Sequence, residues 1–173
     1  LLSLIIGCAA LTLAALVFII GYITVRGLPH ISWEFLTTPY KPGLGQEGIL
    51  PMIASTLLLV FVTVLIATPI GVLAAIYLNE YAKKGRALEI IRFAIESLSG
   101  IPSIIYGLFG YAIFVLALGV EYSILSGALT VAIMVMPTVI RTTEEALHTV
   151  PDAYREGSLA LGAGKLATIR RVV

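Results

Sequence analysis

Four stretches of this chain carry no charged residue: 1–25, 48–79, 97–120 and 122–140. A helix needs roughly 20 mostly apolar residues to cross the hydrocarbon core of a bilayer, and each stretch is about that long or longer. A β-barrel fits poorly, because its strands are about 10 residues long and alternate in polarity. The expected fold class is therefore an all-α membrane protein, a polytopic helical bundle with spans at about 1–25, 50–78, 97–119 and 122–140. Composition agrees, with 59% apolar and 12% charged residues, too few charges to coat a water-facing surface and too apolar for disorder. A net charge of +1 lacks the basic excess expected of a nucleic-acid binder. One cysteine cannot close an intrachain disulfide, and two scattered histidines make no metal cluster.

The first run has no charged n-region and exceeds the roughly 7–15 apolar residues of a signal peptide, so it reads as a span, with a signal peptide as the alternative. Basic residues then set the orientation. Arg26 and Lys41 lie on one side, and Lys83, Lys84, Arg86, Arg92, Arg141, Arg155, Lys165, Arg170 and Arg171 on the other. The side with nine is expected to be cytoplasmic, which places the N-terminus, the 80–96 segment and the tail there. On the outer side, Trp33, Phe35 and Tyr40 suit a membrane interface, and Pro29, Pro39 and Pro42 break regular helix.

Within the second span, Ala67, Gly71 and Ala75 recur every four residues. Small residues at that spacing let another helix approach closely, either inside the bundle or at a subunit interface. Pro69 is expected to bend this span and Pro137 to interrupt the fourth. Pro102 and Gly107 mark a third span rich in helix breakers, a pattern tolerated where helices face protein or a water-lined path. No acid, base or histidine lies deep within a span, which weighs against a proton-driven transporter.

After Ile140 the chain changes character. Thr142 and Glu145 have capping-box spacing for a new helix. A second helix is expected through 153–161, with Gly162 and Gly164 suited to ending it. A third piece, 165–173, places Leu166, Ile169 and Val173 on one face and Arg170 and Arg171 on another. The middle helix is short and amphipathic, of a kind that can lie in another protein's groove or rest on the bilayer surface. Gly164-Lys165 hints at a phosphate-binding loop, but that pattern needs a glycine at 159 and a hydroxyl residue at 166. The chain has Leu159 and Leu166 there, so no ATP site is expected.

Glu156-Gly157-Ser158-Leu159-Ala160-Leu161-Gly162, with Val172 following nine residues later, resembles the EAA loop of ABC importer permeases. That pattern runs E-A-A, three residues, G, nine residues, I, one residue, L-P. Here Gly157 and Ser158 stand for the alanines and Val172 for the isoleucine. Thr68-Pro69-Ile70-Gly71, then Ala75-Ile76-Tyr77-Leu78-Asn79-Glu80-Tyr81, and 101–110, are similar to phosphate importer permeases. Residues 139–145 with Val150-Pro151 resemble the PstA-type subunit. The family usually shows Gly-Gly-Ile before the second span, where this chain has Glu47-Gly48-Ile49.

The resemblance implies a type I ABC importer permease (MetI-like) fold in the inner membrane, with 1–173 as one permease domain. It implies six spans, of which these four would be the N-terminal ones. The implied partners are a second, PstC-type permease, a PstB-type ATPase dimer that uses ATP and Mg, and a PstS-type phosphate-binding protein. No cofactor is implied for this chain, and no catalysis. The implied ATPase-coupling residues are Tyr154, Arg155, Glu156, Gly157, Ser158, Leu161 and Gly162, with Gly162 allowing a tight chain reversal. A phosphate path needs donors or positive charge, and Arg141, at the end of the fourth span, is the best single candidate. The alternative is a topology-setting arginine, or one paired with Glu144 or Glu145. At the level of function, the alternatives are another oxyanion or small solute, or a non-transport membrane scaffold.

Overall fold

The computed structural model describes residues 2–41, 43 and 46–172. The chain divides into two compact units, residues 1–55 and 56–173.

In the first unit, α1 (Leu2–Gly27) buries none of its residues. Its 26 residues reach about 39 Å at 1.5 Å per residue, enough to cross the apolar core. Pro29 falls in the first turn of a 3₁₀ segment, Leu28–His30, where its missing N–H costs little. The five-residue α2 (Trp33–Thr37) starts at Ser32, whose Oγ accepts the Phe35 N–H at 3.0 Å. Strands β1 (Tyr40–Lys41) and β2 (Gln46–Glu47) then pair antiparallel, Tyr40 opposite Glu47. Pro42 lies outside the described residues. Gly48 is buried where the chain leaves this hairpin, and a Cβ there would collide with the Thr38 carbonyl. Of the two glycines the family pattern usually shows, the one retained is the one the backbone approach demands.

The second unit is built on α3 (Leu50–Ile76), whose buried residues are Thr63, Ala67, Gly71 and Ala75. They recur at four-residue spacing, and α6 (Ile124–His148) meets this stripe at Thr63 and Gly71. The Thr63 hydroxyl donates to the Ala128 carbonyl at 3.4 Å. A Cβ on Gly71 would sit 2.7 Å from Val139 Cγ1. The small-residue face is thus filled by a neighbouring helix of the same chain. Ala75, Leu78 and Ile140 form the buried cluster at one end of this contact, with Leu88, Ile95 and Met136 packed around it.

Three sequence expectations differ from this architecture. Pro137 sits inside the continuous helix α6 and does not interrupt it, just as α3 runs without a break through Pro69; membrane helices accommodate proline by re-satisfying the freed carbonyl locally or through neighbours. The third span does not begin at residue 97. Residues 97–99 close a separate helix, α4 (Arg86–Ser99), and the chain then turns through 97° into α5 (Ser103–Gly110). The corner follows from Pro102, which has no N–H to donate and disfavours helix at Ile101. Tyr106 fastens it by donating its hydroxyl to the Leu98 carbonyl at 2.9 Å. No new helix starts at Thr142, because α6 runs on to His148. The Thr142 and Thr143 hydroxyls donate backwards, to the Thr138 and Val139 carbonyls at 2.9 and 2.7 Å, and so cap nothing.

Helix α5 continues as a π-helical segment, Tyr111–Ala117. Its close approach to α6 is at Gly110, where a Cβ would run into the Thr130 side chain, whereas Gly107 faces open space. The turn into α6 uses left-handed backbone at Gly119 and Glu121. Tyr122 stacks on Tyr111, ring centroids 5.6 Å apart, and that phenol contact raises the Tyr122 pKa above its ordinary value. A reciprocal cap between Ser123 and Ser126 opens α6. Three helices are long and apolar enough to cross a bilayer among the described residues, and four if the bent pair counts as one span.

Candidate functional site

The chain leaves α6 at His148, and Pro151 starts α7 (Asp152–Ala160). Gly162, with φ +85°, reverses the chain after α7. The Gly162 N–H donates to Leu159 O at 3.0 Å and the Ala163 N–H to Ser158 O at 3.1 Å. These two bonds make a Schellman motif, which needs a left-handed residue where Gly162 stands. Helix α8 (Lys165–Arg171) follows. It is tied back by a 3.0 Å hydrogen bond between the Ser158 and Thr168 hydroxyls, and by Lys165 Nζ, 4.9 Å above the Tyr81 ring. Thr168 and not Leu166 is the buried position of α8; Val173 lies outside the described residues.

Arg155 anchors α7 to the bundle. Its Nε donates to Glu80 Oε1 at 3.2 Å, its Nη1 to Val150 O at 2.6 Å and Asp152 Oδ1 at 3.1 Å, and its Nη2 to Leu147 O at 2.6 Å. Only 15% of the Arg155 side chain and 10% of that of Glu80 is exposed. Glu80 lies in the π-helical turn Tyr77–Tyr81 that ends α3, and its Oε1 also accepts from Asn79 Nδ2 at 3.0 Å. The planar guanidinium is suited to this, since its five donors have fixed directions and four acceptors surround them. Arg155, one of the implied ATPase-coupling residues, has its charge paired within the chain, joining α7 to the ends of α3 and α6.

The rest of α7 is outward. Tyr154, Glu156 and Gly157 are exposed, and Leu161 is 91% exposed. Tyr154, Gly157 and Leu161 follow i, i+3, i+7 spacing and so share one face. The helix therefore offers a short apolar strip with a side-chain-free notch at Gly157, while its other side is held.

A second cluster joins α4 to α6. Arg92 Nη2 donates to Glu144 Oε1 at 3.0 Å, and Arg141 Nη1 lies 3.7 Å from Glu96 Oε1. With Ile95, Glu145 and His148 these residues line an open cavity of about 230 Å³. Arg141 is thus paired, but across to α4 and not with Glu144 or Glu145 in its own helix. Three carboxylates share its cavity with two guanidinium groups, which is unfavourable for a phosphate dianion. No group of three metal-ligating side chains occurs among the described residues.

Sequence reasoning missed Thr63 and the Arg92–Glu144 pair, and named Glu80 and Gly110 without their contacts. Thr63 extends the 67, 71, 75 series by one step, so the spacing could have found it. Glu80 had no local signal pointing to Arg155.

Residues 67–173 match the family model described as the binding-protein-dependent transport system inner membrane component. The chain is 36% identical over 166 residues to the probable ABC transporter permease protein YqgI of Bacillus subtilis, covering 96% of this chain and 56% of that protein. It is 37% identical over 158 residues to the phosphate transport system permease protein PstA of Pasteurella multocida, covering 91% and 56%. With the protein of the same name from Xylella fastidiosa (strain Temecula1) it shares 31% over 177 residues, covering 97% and 62%. The chain thus spans between half and two-thirds of the length of these relatives. No solved structure matches it.

Proposed function

The chain belongs to the binding-protein-dependent transport system inner membrane components, and from that premise we propose that it is the permease subunit of an ATP-driven importer of inorganic phosphate. It forms half of the translocation pore. A PstC-type permease supplies the other half, a PstB-type ATPase dimer uses ATP and Mg, and a PstS-type binding protein delivers the phosphate. The substrate assignment is supported by relatives named as phosphate transport system permeases, at 31–37% identity. With nine of the eleven basic residues on one side, the N-terminus, α4 and α7 lie in or against the cytoplasm.

The single observation that carries the coupling role is the division of labour in α7. One face is presented outward through Tyr154, Gly157 and Leu161, while Arg155 fixes the helix to the ends of α3 and α6. An ATPase that grips the outer face and closes on ATP moves α7, and Arg155 passes the displacement to both spans. Differential binding of the two ATPase states then shifts the pore between outward and inward forms. Specificity for phosphate rests mainly with the binding protein, because the spans offer hydroxyls, tyrosines and helix ends. We read Arg141 as the partner of Glu96 between α6 and α4, and not as a contact on the phosphate path.

The test is ATP-dependent uptake of labelled phosphate by the full-length permease, reconstituted with its partners. Leu161→Cys should form a disulfide with an introduced cysteine in the ATPase groove, and excess sulfate or molybdate should leave uptake unchanged. Competition by either oxyanion would reassign the substrate. Failure of every position on the Tyr154–Leu161 face to cross-link would remove the docking role.

A further inference from the structure

Helix α4 presents three different environments around its axis. Leu88 and Ile95, seven residues apart, turn into the buried cluster. Glu89, Arg92 and Glu96 follow i, i+3, i+7 spacing on the next sector, where Arg92 and Glu96 pair with Glu144 and Arg141 of α6. The remaining arc, centred opposite Arg92, carries Ala87, Ile90, Ile91, Ala94 and Leu98 with Phe93 at its edge, all exposed, and one polar residue, Ser97, whose hydroxyl donates to the Phe93 carbonyl at 2.8 Å. Ile90 is 66% and Phe93 70% exposed. α4 also stands at 97° to the helix that follows it. Spans tilt on average about 20° from the bilayer normal, so a helix perpendicular to one lies along the membrane plane.

Charge at the start of α4 is unbalanced. Glu80, Arg92 and Glu96 are committed to Arg155, Glu144 and Arg141. Lys83, Lys84 and Arg86 are exposed and have no ion pair among the described residues, with Glu89 the one acid nearby that also lacks one. We propose that α4 is an interfacial helix whose exposed apolar arc lies in the acyl boundary while Lys83, Lys84 and Arg86 hold the phosphodiester headgroups of anionic phospholipid. An amphipathic helix in the membrane plane with cations at its rim gains from both apolar burial and headgroup attraction. The ion-paired sector then faces away from lipid and grips the stretch of α6 that emerges beside it. The inference rests on membrane insertion alone, and not on the identity of the transported solute.

The full-length permease is reconstituted into nanodiscs of equal phosphatidylcholine and phosphatidylglycerol, and retained lipid is counted by native mass spectrometry. The wild type should retain phosphatidylglycerol preferentially. Replacing Lys83→Gln, Lys84→Gln and Arg86→Gln together should reduce that preference by on the order of tenfold or more, and high salt should reduce it in the wild type. Equal retention by the triple variant would overturn the headgroup site. Independently, with Cys8 replaced, a spin label at Ile90→Cys should be relaxed by oxygen and one at Glu89→Cys by a water-soluble nickel chelate. A label at 90 reached by the chelate, or a cross-link from that position to another subunit, would overturn the interfacial placement.

Discussion

Arg155 in α7 and Glu80 in the wide turn that closes α3 stand 75 residues apart in sequence and meet at 3.2 Å. Both side chains are largely shielded, and the arginine reaches three further acceptors. Removing one partner leaves the other desolvated and unpaired, which costs about 3 kcal/mol or more. Arg155→Lys keeps the charge but reaches one or two of the four acceptors, so it should lower the melting temperature nearly as much as Arg155→Gln. A melt of Arg155→Lys indistinguishable from wild type would show that the forked geometry is dispensable.

Gly162 should tolerate only residues that accept left-handed backbone. Open space surrounds it, but its φ of +85° would cost a branched side chain roughly 1–2 kcal/mol. Gly162→Asn is expected to retain most uptake and Gly162→Val to lose most of it, both inserting normally. Gly162→Asp should abolish uptake while leaving insertion intact, through the charge it places beside the docking face. Normal ATP-driven uptake in Gly162→Asp would separate this turn from coupling.

Gly71 and Val139 form a size-matched pair between α3 and α6. A methyl at 71 would approach Val139 Cγ1 to 2.7 Å, and overpacking of this kind costs about 1–3 kcal/mol. Thermal melts should show Gly71→Ala destabilised and Gly71→Ala/Val139→Ala partly restored. Additive losses in the double variant would mean that the two helices do not meet there.

Arg141→Lys should leave phosphate uptake near wild type, because an ammonium can still pair with Glu96 across 3.7 Å. Arg141→Glu should loosen α4 by facing Glu96 with a like charge, and protease sensitivity in the 86–99 segment should rise. A selective rise in the KM for phosphate with Arg141→Lys would return Arg141 to the substrate path, since bidentate anion contact does not survive that change.

Much of the membrane architecture was legible because apolar, charge-free length is a direct physical requirement of crossing a bilayer. The corner at residues 100–102 was read as the inside of a span, because Ser97 to Ser99 carry no charge and an uncharged surface turn looks locally like the start of a helix in lipid. Proline at 137 misled in the other direction, since the penalty expected in water is moderated where neighbouring groups in a membrane helix satisfy the freed carbonyl. At the tail, the end of α7 was legible because a left-handed residue is needed there and glycine supplies it. The role of Arg155 was not. Local sequence showed a cation on an amphipathic helix, while its partners include a carboxylate from the turn that closes α3, the Leu147 carbonyl of α6 and the Val150 carbonyl just beyond it.

The central claim is that Arg155 transmits the movement of α7 to the spans. It is tested most directly by phosphate transported per ATP hydrolysed in proteoliposomes, comparing Glu80→Arg, Arg155→Glu and the two combined. Each single variant should bind the ATPase and hydrolyse ATP yet transport at least tenfold less phosphate per ATP, and the combined variant should recover part of that loss. Wild-type stoichiometry in either single variant would contradict it.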